Sequence, residues 1–232
     1  MKLLVLFLAS LLAAAAALCA AADVQFQATN NAAGTPGGDR FASEIGIDYT
    51  VQVLSSASDF IWSTFQQSSA ADRKDVQLVT ASVDTFSSAE SGVVAYTVDS
   101  AIHVSAGYIA GYSGDVKTEI TGVLYHETTH VWQWDGAGAA PGGLIEGIAD
   151  FVRLRAGYAP AHWVKAGEGD RWDQGYDVTA RFLDYCDGLK PGFVAQLNAD
   201  MKNGYSDGFF VQLLGKSVDQ LWSDYKAMYA AN

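Results

Sequence analysis

The chain has 232 residues, half of them hydrophobic and 17% charged, which suffices for a sizeable core and excludes an intrinsically disordered protein. Its 26 acidic residues against 14 Lys and Arg give a formal net charge of −12, which argues against nucleic acid or an anionic membrane as partner. Two cysteines exclude a disulfide-dense scaffold.

The chain opens on MKLLVLFLASLLAAAAALCAAADVQF, in which Lys2 precedes a short apolar run and a small-residue end, Ala20-Ala21-Ala22. That is the pattern of a secretory signal peptide over residues 1–22, with Asp23 as the mature start. Cleavage removes Cys19 and leaves Cys186, expected inside a helix and without a disulfide partner. No later segment is long and apolar enough to span a bilayer. VQFQATNNAAGTPGGDRF reads as a strand followed by a loop, and FASEIGIDYTVQVLSSASDFIWSTFQ as one long helix. DVQLVTASVDTF, GVVAYTVDS and AIHVSAGYI are strand candidates. A helix follows from near Val116 to about Trp134, stopped by Asp135-Gly136. AGAAPGG is a loop, and LIEGIADFVRLRAGY a second helix entered through Pro141. From Ala161 onward the chain reads as helical, with YDVTARFLDYCDGL, GFVAQLNADMKN and VDQLWSDYKAMYA as its segments. The order predicts an α+β domain over residues 23–232, with a sheet-bearing lobe over about 23–136 and a helical lobe over about 137–232.

The helix between the lobes carries YHETTHVWQWDG, residues 125–136. Residues four apart lie on one helix face, so His126 and His130 can present ring nitrogens to one metal ion. Glu127 projects beside them, placed to hold a water rather than to ligate. This is the H-E-x-x-H arrangement of zinc metalloproteases. A catalytic zinc needs a third protein ligand and an open position for water. The variant with Gly seven residues and a ligand ten residues after the first His does not fit, since Gln133 and Gly136 hold those places. Glu146 fits better, on the next helix with fifteen residues between it and the motif. Asp150 follows one turn later, where it can accept a hydrogen bond from a ligand His and orient its ring. Both acids lie on a helix that is apolar nearly all round, and buried acids need partners.

HETTHVWQWDGAGAAPGGLIEGIADFVRLRAGY resembles the signature region of the plant basic secretory protein family, secreted and pathogen-induced proteins regarded as candidate zinc peptidases of plants and bacteria. DRWDQGYDVTARFLDYC and AYTVDSAIHVSAGYI are similar to further blocks of that family, so the likeness covers essentially the whole mature chain. Unlike the family's name, this chain is acidic. The resemblance implies a zincin-like fold, secretion to the apoplast and a role in defence.

The residues then predict a chemistry. Zn2+ on His126, His130 and Glu146 activates a water, and Glu127 serves as general base. Tyr176 is the first candidate for the oxyanion donor, with Tyr158 and His162 behind it; Asp177 and Arg181 are expected to pair on its helix. AIHVSAGYI is the expected edge strand for a peptide substrate. His103 within it either faces the cleft or is a half-buried, hydrogen-bonded residue. Trp132, Trp134, Trp163 and Trp172 are expected in the core between the helices, or in part as the lining of a pocket for an apolar or aromatic substrate side chain. The expected protein is a monomer acting on a peptide or protein. A different reading is a defence-related binding protein that retains the zinc site and cleaves nothing; the intact Glu127 favours the peptidase.

Overall fold

The computed structural model describes residues 23–230, and the expected signal peptide over 1–22 lies outside them. Four strands form one mixed sheet: β1 (Gln25–Asn30), β2 (Leu78–Asp84), β3 (Ala95–Val98) and β4 (Ala101–Ser105), in the spatial order β1-β2-β4-β3. β1 and β4 flank β2 in parallel, and β3 pairs antiparallel with β4 through a tight turn at Asp99, whose φ is 55°. Alternation in β2 and β4 buries Val79, Ala81, Val83, Ile102 and Val104, so the sheet has one apolar face.

That face packs on helices. The expected long helix is two. Helix α1 (Pro36–Glu44) begins earlier than expected, because the Thr35 hydroxyl accepts from Gly38 N at 3.2 Å and Pro36 suits the first turn. Its end is closed by Ile45 N and Gly46 N, which both donate to Phe41 O. Gly46 sits at φ 84°, open to glycine and costly for other residues, and α2 (Ile47–Thr64) restarts beyond it. The third strand candidate is also split. β4 stops at Ser105, whose hydroxyl accepts from Tyr108 N and starts the short α3 (Ala106–Gly111). β4 is moreover an interior strand, so the edge beside the His-bearing helix is β3, not the expected AIHVSAGYI.

The His-bearing helix is α4 (Val116–Trp132), capped by Asp115, which accepts from Thr118 N at 3.1 Å. It ends at Trp132, where Gln133 turns extended. A turn holding Gly136 at φ 70° and Gly138 at φ 79° reverses the chain into α5 (Gly142–Arg155). α5 lies antiparallel on α4: His130 and His126 meet Glu146, His126 meets Asp150, and Gly122 faces Arg153.

Residues 161–175, expected to be helical, are turns, with Gly167, Gly169 and Gly175 at φ 89°, 96° and 101°. Then come α6 (Tyr176–Leu189), α7 (Phe193–Asp200), α8 (Gly208–Leu214), which the sequence reading missed, and α9 (Val218–Ala230). Cys186 is fully buried in α6, as expected. Trp132 is core, its indole nitrogen donating to the Ser58 hydroxyl at 3.0 Å, but Trp134, Trp163 and Trp172 are only half-buried. No described helix is long and apolar enough to cross a membrane. The result is a mixed α+β architecture with α4 between the sheet and the later helices.

Candidate metal centre

α4 is buried nearly all round, and His126, Glu127 and His130 line one cleft. His126 and His130 stand one turn apart, with Nε2 atoms 3.1 Å from each other. Across the helix pair, Glu146 Oε2 lies 3.1 Å from His126 Nε2 and 3.5 Å from His130 Nε2. One ligand atom from each of the three residues falls within 4.8 Å of the others, a spacing that suits a single ion. Asp150 sits one turn beyond Glu146 and contacts His126 Nδ1 at 2.6 Å, in a pocket that leaves the acid 3% exposed.

The donor chemistry fits a metal. Nδ1–H of His126 donates to Asp150, which leaves a lone pair on Nε2 pointing at the other two ligand atoms. Three lone-pair-bearing atoms that converge repel one another unless a cation or protons lie between them. Beside His130, the Gln133 side-chain nitrogen lies 3.0 Å from Nδ1 and donates to Ile145 O at 3.3 Å, while its Oε1 is buried without a partner among the described residues. Without a metal, burial works against a charged imidazole, but the Asp150 and Glu146 carboxylates outweigh it and raise His126 to about 10. Burial likewise works against the Glu146 carboxylate, yet the two imidazoles hold it far below the usual carboxylate range.

Glu127 stands outside this ligand group. Its residue is 6% exposed, and its Oε2 accepts from the Thr97 hydroxyl of β3 at 2.7 Å. The site opens into a cleft of about 930 Å³. Gly92 to Thr97, ending in β3, form one wall; α4 forms the floor; α5 and the loop carrying His162 and Trp163 form the other wall.

A family described as peptidase of plants and bacteria has a model that matches residues 21–225. The chain belongs to this family. A basic secretory protease of Boswellia serrata is similar to it, 49% identical over 61 residues that cover 26% of this chain and 70% of that protein. No solved structure matches.

Among the candidate donors of this peptidase-family chain, Tyr176 lines the cleft with its ring stacked 6.1 Å from His126 at 12° between planes. It is 57% exposed and holds φ 46°, a left-handed value rare for an aromatic residue and typical of functional positions. Burial of its hydroxyl, then the charges of Glu146, Asp150 and Glu127, push its pKa up, which keeps it a neutral donor. His162 also lines the cleft, whereas Tyr158 packs on Tyr125 away from its lining. The expected Asp177–Arg181 pair is replaced by two contacts to Val164: Asp177 accepts from its N–H at 2.7 Å, and Arg181 donates to its carbonyl at 3.3 Å. His103 is the half-buried alternative, hydrogen-bonded to Asp84 at 2.8 Å and stacked on Tyr96, outside the cleft lining.

Several cleft residues escaped the sequence reading. Gln133 lies three residues after His130, and that spacing is its only signal. Glu119 and Arg153 form a buried ion pair at 3.0 Å in the cleft wall, with Tyr108 donating to Glu119 at 2.9 Å. Gly122 makes room for that pair, since a Cβ there would approach Arg153 Nε to 2.6 Å. Thr97 carries no sequence signal; only the fold brings it to Glu127.

Proposed function

We propose that the chain is a secreted zinc peptidase, and that His126, His130 and Glu146 are the metal ligands. The observation that carries this reading is the convergence of those three residues beside an unligated, buried Glu127 in an open cleft, within a family of peptidases. Two imidazoles and a carboxylate are the ligand set of catalytic rather than structural zinc.

Zinc held there supplies Lewis acidity, polarising a scissile carbonyl and making water acidic enough to attack near neutral pH. Glu127 accepts the proton of that attacking water and passes it to the leaving amine. The Tyr176 hydroxyl donates to the oxygen on which negative charge develops. Asp150 holds His126 in the tautomer that leaves Nε2 free. A peptide substrate pairs with the free edge of β3, which forms the cleft wall next to Glu127.

Residues 1–22 are a cleaved signal peptide in this reading, and 23–232 one zincin-like peptidase domain whose lobes divide at about residue 136. The protein acts as a monomer in the plant apoplast, in defence; its likeness to a protease named as secretory supports that setting. The test is elemental analysis of the purified mature protein and of Glu127→Gln, both assayed on a mixed peptide library. The expected outcome is one zinc per chain in both, with cleavage lost by about 100-fold or more in the variant. Zinc in both with cleavage in neither would favour a non-catalytic binding protein. Absence of zinc from both would remove the metal reading.

A further inference from the structure

Glu127 is buried at the base of the cleft, and among the described residues one side chain donates to its carboxylate. That donor is the Thr97 hydroxyl, 2.7 Å from Oε2 and 3.1 Å from the Glu127 main-chain oxygen. A glutamate has three side-chain torsions, and a carboxylate that shuttles a proton must be held within a fraction of an ångström of its working position. The chain supplies that restraint from a strand thirty residues away, not from the helix that carries the glutamate. Thr97 uses its single hydroxyl proton on Oε2, and among the described residues Oε1 of Glu127 has no hydrogen-bond partner, at a residue that lines the cleft.

We infer that Thr97 is a positioning residue for peptide hydrolysis: its hydroxyl fixes the Glu127 carboxylate with Oε1 free, and so ties the general base to the edge strand β3. This rests on the peptidase reading above. Thr97 is half-buried on β3, and β3 is also a wall of the cleft. The strand that would receive a peptide backbone therefore also holds the base. Movement of β3 on substrate binding would carry the carboxylate with it. Nothing in the H-E-x-x-H pattern specifies this contact, because the pattern describes one helix and Thr97 lies outside it.

Four variants test the assignment. Thr97→Val keeps the shape and the strand preference and removes the hydroxyl. Thr97→Ser keeps the hydroxyl. Glu127→Ala, alone and combined with Thr97→Val, closes a double-mutant cycle. The expected result for Thr97→Val is a kcat lowered by about tenfold to a hundredfold with KM and zinc content unchanged, while Thr97→Ser stays within about threefold of the parent. In urea unfolding of the metal-free proteins, Thr97→Val should shift the midpoint of the parent and leave that of Glu127→Ala nearly unmoved. A purely structural Thr97 would lower the unfolding midpoint and spare kcat, which would overturn the assignment. A change in KM alone would overturn it as well, making Thr97 part of the substrate strand only. Additive midpoint shifts would show that the contact does not form. Failure of the peptidase reading is a separate result: no cleavage by the parent protein removes that reading and this assignment together, whereas parental cleavage that survives Thr97→Val removes this assignment alone.

Discussion

Asp150 illustrates how much of the candidate centre depends on a residue outside the His126, His130 and Glu146 group. It is 3% exposed and lies 2.6 Å from His126 Nδ1, so it selects the tautomer and holds the ring plane. Replacing it with Ala leaves Nδ1–H without an acceptor in a buried place and lets the ring turn. Zinc affinity of Asp150→Ala, measured by competition with a chelator, should fall about 10- to 100-fold. That His126 and His130 share one helix face, and Glu146 and Asp150 another, was legible in the sequence because helix geometry is local, whereas the meeting of the two faces depends on how α5 packs on α4. Thr97 was not legible, since its meeting with Glu127 depends on where β3 docks against α4. Tyr176 falls between. Its block could be recognised, but its stacking on His126 and its φ of 46° are products of the turn at Gly175.

At the scale of elements, α5 carries two obligations. One face presents Glu146 and Asp150 to α4, and Gly147, next to Glu146, abuts α6. A Cβ at Gly147 would run into the methyl group of Thr179. Thr179 cannot swing away freely, because its hydroxyl donates to Trp172 O at 2.7 Å and accepts from Gly175 N at 2.8 Å. Gly147→Ala should therefore destabilise the fold by about 1–3 kcal/mol despite the better helix preference of alanine, as read from urea unfolding. The helices themselves were visible as apolar periodicity, and α4, α5, α6, α7 and α9 lie close to where the pattern puts them. The pattern misled where one residue decides. Gly46 divides a run that is periodic on both sides, and the Ser105 cap turns an apolar strand into a helix start. Strand order escaped for a deeper reason. Whether β3 or β4 lies at the edge is set by which strand pairs with β2, and in the sequence both are only short strand candidates.

For the whole molecule, the excess of acid is managed locally. Asp72, Glu90 and Asp115 each accept from nearby side chains and from the backbone, and these bonds hold their carboxyls below the ordinary values of 3.8 for Asp and 4.5 for Glu. Burial works against a charged Asp84, but hydrogen bonds from Ser82, His103 and Asn31 prevail and lower it too. Groups depressed in the folded state stabilise it fully above the unfolded values. That stability is lost as pH falls through 3.8 to 4.5 and below, because the unfolded chain takes up protons first. The urea midpoint should therefore drop steeply below about pH 4.

Cys186 gives the same molecule a clock. It is fully buried toward the C-terminal end of α6, burial pushes its thiol pKa up, and among the described residues it is the free cysteine. A thiol reagent in solution can reach it only when the packing around α6 opens. The rate at which Cys186 is alkylated thus counts openings of the native protein, without denaturant and without an introduced label. Because α6 packs on α5, which carries Glu146, that count runs through the element that closes the candidate metal centre.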